Sequence, residues 1–226
     1  MKRSEINTHI KDAETRFADA GLLLPEWAHW TVDEWRRNAA GCGEIATAGL
    51  GWDLTDFGLG TYAEKGLLLF TVRNGANSTA NPIPYAEKLM VVKERQVTLM
   101  HFHWSKTEDI INRGGGELVL RLQMADRASE ELTDEPFTVY RDGIRTECRA
   151  GDEVRLAPGQ SITLYPYLYH SFWAENGDCI VGEVSAVNDD ATDNRFLDPV
   201  GRFPSIEEDE PPYRLLCTEY GSVFAP

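Results

Sequence analysis

No stretch of the 226-residue chain approaches the ~20 consecutive apolar residues that a membrane-spanning helix needs. The opening Met1-Lys2-Arg3-Ser4-Glu5-Ile6-Asn7 runs into an amphipathic pattern without the apolar region of a signal peptide, so the expected location is cytoplasmic. Cysteine is sparse: Cys42, Cys148, Cys179 and Cys217 are scattered with no Cys-x-x-Cys pair, which argues against a zinc ribbon or a redox dithiol and for free thiols in a reducing compartment. Positive charge is also short. With 22 Lys and Arg against 37 Asp and Glu the formal net charge is −15, a field that repels nucleic acid and anionic membranes and gives no help in capturing a phosphorylated substrate. Neutral small molecules or cations fit it better. There is no internal repeat and no low-complexity segment.

What remains is ordinary for a globular protein, 42% hydrophobic and 26% charged, and the length suits one all-β barrel with helical additions. Ile6, Ile10, Ala13 and Phe17 recur at helical spacing between Ser4 and Ala20, with Gly21 and Pro25 as stops. A second helix is predicted from Thr31, where Thr31 and Glu34 make a capping-box pattern, to the break at Gly41-Cys42-Gly43. Leu22 to Leu24 with Trp27, Trp30 and Trp35 read as a pad that docks these helices by burial. Residues 49–66 are glycine-rich and read as loops and short extended pieces.

Short strands follow. Leu67 to Val72 closes at Asn74-Gly75, and after a polar connection, Asn77 to Pro84, the runs Glu87 to Val92 and Val97 to His103 suggest a hairpin around Lys93 to Gln96. Glu108 to Ile111 and Leu118 to Met124 flank a glycine turn, Asn112 to Gly116. Phe137 to Tyr140 precedes a hairpin turn at Asp142-Gly143, and Val154 to Leu156, Ser161 to Tyr165, Tyr169 to Trp173 and Cys179 to Val187 continue the series toward a jelly-roll barrel. Beyond Asn188 the composition becomes an ordered-looking extension anchored by Phe196, Phe203 and Tyr213. The expected plan is therefore a single domain: a helical segment over 1–45, a barrel over 66–187 and a C-terminal extension over 188–226.

The chemistry centres on Met100-His101-Phe102-His103-Trp104. Alternation along a strand puts His101 and His103 on one face and Phe102 and Trp104 on the other. Glu108, beyond a bend, can return to the same point, and such a His, His, Glu set suits a first-row divalent metal. The chain has five histidines; His9 lies in the first helix and His29 among aromatics, so His170 is the candidate closing ligand. Glu117 is the substitute for Glu108. Three imidazoles and one carboxylate leave two positions open on a six-coordinate ion, room for a substrate to bind through two oxygens.

The pattern His-x-His, Glu108, Gly115, then Gly151-Asp152 and Pro158-Gly159 before His170, resembles the two motifs of the cupin superfamily. The longer string from His101 to Gly116, with Gly182-Glu183-Val184-Ser185, Val187-Asn188-Asp189-Asp190 and Asp193-Asn194-Arg195-Phe196, is similar to the bacterial D-lyxose isomerase family, over most of residues 80–215. Two positions depart from that family: Arg95 stands where a glycine is usual, and the interval from Gly159 to His170 is stretched.

The resemblance implies an all-β cupin jelly-roll barrel with N-terminal helices, a Mn2+ cofactor, a homodimer, and interconversion of the sugars D-lyxose and D-xylulose, with D-mannose and D-fructose as a second pair. Aldose–ketose isomerisation needs a base, an acid and stabilisation of an enediolate. Glu183 is the candidate base because it interrupts the apolar run Ile180 to Val184, where an unpartnered inward carboxylate would be costly. Lys88 is the matching cation. Lys106, between the ligands, is the alternative cation and otherwise a sugar contact, and the resemblance adds Asp190 and Arg195 as contacts to sugar hydroxyls. Of the aromatics Trp104, Tyr165, Tyr167, Tyr169 and Trp173, alternation leaves some for the sugar and some for an outer interface. An iron-dependent dioxygenase could use the same ligands, and a non-catalytic sugar-binding cupin could keep them as a vestige.

Overall fold

The computed structural model describes residues 1–75, 83–187, 189 and 192–224. The stripe of Ile6, Ile10, Ala13 and Phe17 is the buried face of helix α1 (Arg3–Asp19). Helix α2 (Val32–Asn38) opens on the expected capping box: Glu34 N donates to Thr31 Oγ1 at 3.3 Å and Thr31 N donates to Glu34 Oε2 at 2.7 Å. A 3-10 turn and the short α3 (Gly43–Thr47) follow. The tryptophan pad is a chain of ring contacts, Trp27 to Trp35 at 6.2 Å, Trp30 to Trp35 at 5.1 Å and Trp35 to Tyr220 at 4.8 Å, so it grips the C-terminal segment as well as the helices. Leu22 and Leu24 join the buried cluster under α1, but Leu23 is 86% exposed.

Eleven strands follow, every pair antiparallel: β1 (Gly51–Thr55), β2 (Leu67–Arg73), β3 (Tyr85–Val92), β4 (Thr98–Phe102), β5 (Glu108–Met124), β6 (Phe137–Arg141), β7 (Ile144–Cys148), β8 (Glu153–Leu156), β9 (Ser161–Leu164), β10 (Leu168–Ala186) and β11 (Arg195–Phe196), and a short helix, α4 (Gly221–Phe224), ends the described chain. The all-β class with N-terminal helices is the one read from the sequence. The glycine-rich 49–66 region supplies β1, every residue of which is buried.

Three strand assignments need correction, the simplest being that Tyr169 to Trp173 and Cys179 to Ala186 are parts of one strand, β10, and not two. The glycines at 114–116 do not reverse the chain. They bend a single 17-residue strand, β5, which pairs along its whole length with the 19-residue β10. Gly115 has φ +96°, and a Cβ there would stand 2.1 Å from Asp178 O, where β10 bulges between Glu175 and Cys179. A glycine run signals either a turn or a bend, and only the partner strand decides which. Likewise β3 and β4 are not a hairpin. β3 pairs with β2 and with the Cys179–Ala186 half of β10, whereas β4 pairs with β11 and with the half of β10 that carries His170 and Phe172. The connection between them carries the chain from one half of β10 to the other, and Arg95, in place of a glycine, adopts φ +62° in it.

The two long strands thus run through the centre of the sheet. All eleven strands join in one sheet, in the order β1-β2-β3-β10-β5-β9-β6-β7, with β4 also on β10, β11 on β4 and β8 on β5. Leu69, Met90, Ile110, Leu120, Phe172 and Val181 meet in one buried cluster, the inner core. On the outer face of β1 to β3, Trp52, Leu54, Leu68, Phe70, Leu89 and Val91 receive the apolar stripe of α1. The C-terminal segment then runs back along α1: the Met1 ammonium donates to Ser205 O at 2.8 Å and Arg3 pairs with Glu208 at 2.6 Å and with Glu219. Tyr213 packs there, but Phe203 is 46% exposed and is not an anchor. All four cysteines are free thiols, and no helix among the described residues is long and apolar enough to cross a membrane.

Gly115→Ala should destabilise the fold by on the order of 2–4 kcal/mol, from a strained φ and the clash with Asp178 O, read as a lowered denaturant midpoint. A change in a loop away from this crossing, such as Gly159→Ala, meets no neighbour within 4 Å and should cost only the strain of its φ of +91°.

Candidate metal centre

His101 of β4 lies directly opposite His170 of β10, and His103 follows at the end of β4 on the same face. The ring centroids of His101 stand 4.2 Å from His170 and 5.3 Å from His103, and one nitrogen from each of the three lies within 4.8 Å of the others. Their orientation is fixed by the main chain. Nδ1 of His101 donates to Leu99 O at 2.7 Å, Nδ1 of His170 to Leu168 O at 3.0 Å, and Nδ1 of His103 to Asp193 O. A carbonyl can only accept, so each Nδ1 carries the proton and each Nε2 presents a lone pair, the tautomer a metal requires.

Glu108, the first residue of β5, turns its carboxylate toward two of these imidazoles. Its Oε1 is 3.0 Å from His170 Nε2 and its Oε2 is 3.6 Å from His103 Nε2. With both imidazoles protonated at Nδ1 these are contacts between acceptors, and the buried Oε1 has no hydrogen bond. An oxygen and nitrogens turned toward one another without a proton between them are what a bound cation would satisfy. The charge states agree with that fit. Burial, reinforced by the neighbouring His170 and His103, holds His101 well below the usual histidine value, and burial takes His103 down to about 4. Burial alone would raise Glu108, but Lys106 and the imidazoles more than reverse it and keep the carboxyl well below its ordinary range. At neutral pH His101 and His103 are neutral and Glu108 is anionic, the protonation states for a divalent ion.

Lys88, Lys106 and Glu183 meet beside these donors. Lys88 and Glu183 are register partners across β3 and β10. Lys88 Nζ lies 3.3 Å and Lys106 Nζ 3.0 Å from the same oxygen, Glu183 Oε1, while Lys106 Nζ also stands 2.7 Å from Glu108 Oε2. All four side chains are at most 6% exposed. Burial would push Glu183 up, and Lys106 and then Lys88 outweigh it, leaving the carboxyl lowered and ionised. The cavity they line, with the three histidines, has a volume of about 570 Å3 including its open mouth.

Other sequence candidates lie elsewhere. Arg195 pairs with Glu130 at 3.2 Å, a carboxylate that also accepts from Trp104 Nε1 at 2.7 Å, whereas its neighbours Asn194 and Phe196 line the cavity. Alternation on β11 explains this, since Phe196 opposes His101 and Arg195 opposes Phe102. Asp190 and most of the connection from Asn77 to Pro84 lie outside the described residues. Glu117 is bound by Arg155 at 2.8 Å and does not approach the imidazoles. Trp104, Tyr167 and Tyr169 pack with Phe102 on the outer face, and the aromatic rings in the cavity are instead Phe57, Phe172 and Phe196.

Sequence reading gave Asp193 no role. Its carboxylate accepts from Ser105 N and Ser105 Oγ, both at 2.8 Å, and from Lys106 N at 2.9 Å, while its carbonyl holds His103. One residue of the C-terminal extension thereby positions a metal donor and a lysine. Its partners are remote in sequence, so no local signal could reveal it.

A family model described as D-lyxose isomerase matches residues 1–220. The D-lyxose/D-mannose isomerase of Serratia proteamaculans is 49% identical over 225 residues, covering 97% of this chain and 98% of that one. The D-lyxose/D-mannose isomerase of Escherichia coli O157:H7 is 48% identical over 227 residues, with the same coverage of 97% and 98%. Among solved structures, ligand-free L-ribose isomerase of Cellulomonas parahominis superposes with a TM-score of 0.51 at 16% identity, over 81% of this chain and 98% of that one, a likeness of fold.

The depressed His103 gives the metal-free protein a specific pH dependence. Between pH 6.5 and about 4 the unfolded chain binds a proton at this imidazole that the folded chain refuses, so stability rises with pH across this window and falls on acidification. The unfolding free energy of chelator-treated protein, from urea melts, should drop between pH 6.5 and 4.5 by roughly 2–3 kcal/mol, and His103→Gln should flatten that slope.

Proposed function

The chain belongs to the D-lyxose isomerase family, and from that premise we propose that it interconverts D-lyxose with D-xylulose and D-mannose with D-fructose, using a divalent first-row ion, Mn2+ first. The observation that carries this reading is the buried, ionised Glu183 held between Lys88 and Lys106 in the cavity of the histidine and Glu108 donor set. A divalent ion bound by His101, His103, His170 and Glu108 would supply Lewis acidity to O1 and O2 of the open-chain sugar.

The chain's own residues do the rest. Glu183, kept anionic by two ammonium groups, takes the proton from C2 of the aldose and returns it to C1 of the ketose. Lys88 donates to the sugar oxygen that gains a proton and recovers one from the oxygen that loses it. Lys106 bridges Glu108 and Glu183, so it ties the donor set to the base and contacts the substrate oxygens between them. The water-poor interior strengthens each of these charge interactions. Arg195, bound to Glu130, positions Asn194 and Phe196 rather than touching the sugar. Asp190 keeps the role that the family resemblance gives it, a contact to sugar hydroxyls, and the same resemblance supports a homodimer. An iron dioxygenase or a storage cupin would have no use for a lysine-flanked carboxylate at this position.

Proton NMR of D-lyxose and D-mannose in D₂O should show ketose and deuterium at C2 or C1 with Mn2+-loaded protein and neither with stripped protein. Absence of ketose from fully loaded protein sinks the reading. His103→Ala should lose bound metal and activity together. Glu183→Gln should retain metal by elemental analysis while turnover falls about 10²–10⁴-fold, and a wild-type rate would remove this carboxylate from the mechanism.

A further inference from the structure

The β1 side of the cavity is built from groups that the mechanism above does not use. Arg202 lines it, with its guanidinium 2.6 Å from Oδ2 of Asp53, a carboxylate that is only 7% exposed. Asp53 shares a face of β1 with the cavity-lining Thr55 and stands opposite the cavity-lining Leu69. Its other oxygen, Oδ1, is buried and has no hydrogen bond among the described residues.

The segment that carries Arg202 is irregular, yet it is pinned at three points. Thr55 Oγ1 donates to Arg202 O, Gly201 N donates to Phe57 O at 2.9 Å, and the two backbones come so close that a Cβ on Gly58 would lie 3.3 Å from Gly201 Cα. Loop chemistry of this kind pre-orients a side chain before a ligand arrives.

From these features, and resting on the isomerase reading, we propose that Arg202, oriented by Asp53, binds the outermost hydroxyls of the sugar and sets the enzyme's preference between five- and six-carbon aldoses. The sheet order places β1 three strands from β10, about 14 Å along the sheet at the usual strand spacing, so Glu183 and the imidazoles take the C1–C2 end while the β1 wall faces the far end. A guanidinium offers parallel N–H donors to vicinal hydroxyl oxygens, and Asp53, behind it, holds it in place. Because Asp53 already balances the charge of Arg202, the pair suits neutral hydroxyls and not a terminal phosphate. The ligand class is therefore a free aldose.

The test is steady-state kinetics of Mn2+-loaded wild-type protein, Arg202→Ala and Asp53→Asn on D-lyxose and D-mannose. Arg202→Ala should raise KM for D-mannose about tenfold or more with kcat within about threefold, raise KM for D-lyxose less, and retain wild-type metal content. Asp53→Asn, nearly isosteric, should shift the ratio of kcat/KM between the two sugars in the same direction, which keeps the test available should Arg202→Ala not fold. An unchanged ratio in both variants, or an equal loss on both sugars through kcat alone, overturns this proposal while leaving the isomerase reading intact. A wild-type protein inactive on both sugars overturns both.

Discussion

Everything at this site depends on where three imidazole protons are. Main-chain carbonyls of Leu99, Leu168 and Asp193 each accept from an Nδ1–H, so all three Nε2 lone pairs converge with the carboxylate of Glu108. For His101 and His170 the carbonyl belongs to the residue two before on the same strand, so strand geometry alone sets the tautomer. For His103 it comes from the C-terminal extension. The donor set is consequently a product of the barrel and its tail together, since the tail's Asp193 also captures the Ser105–Lys106 backbone.

The electrostatics follow from burial. Two carboxylates, Glu108 and Glu183, and two ammonium groups, Lys88 and Lys106, share a space from which water is nearly excluded, and each would be untenable alone. Apolar side chains of the same volume would stabilise the barrel at least as well, so the cluster is better explained by chemistry than by stability. The long strands make it possible. Because β5 and β10 each bend along their paired length, Glu108 and Glu183 at one end and His170 at the other enter a single cavity.

Much of this was legible in the sequence where the signal is local. Helical spacing gave α1, a four-residue capping pattern gave the start of α2, and strand alternation put His101 and His103 together and Phe102 outside. The scarcity of histidine pointed to His170. What was not legible was pairing. Glycines 114–116 read equally as a turn or a bend, and the assumption that neighbouring strands pair made a hairpin of β3 and β4, which instead pair with different halves of β10. The same limit hid Asp193, Asp53 and Arg202, whose partners are distant in the chain. It also gave Arg195 the wrong expected surroundings, because the parity of β11 is set by its partner β4 and not by its own two residues.

The most direct test of the central claim is anomalous diffraction at the manganese edge from crystals grown with Mn2+. The account predicts one strong peak within coordination distance of Nε2 of His101, His103 and His170 and of a Glu108 oxygen. No peak at that point, or an ion held through Nδ1 of any of the three, would contradict it.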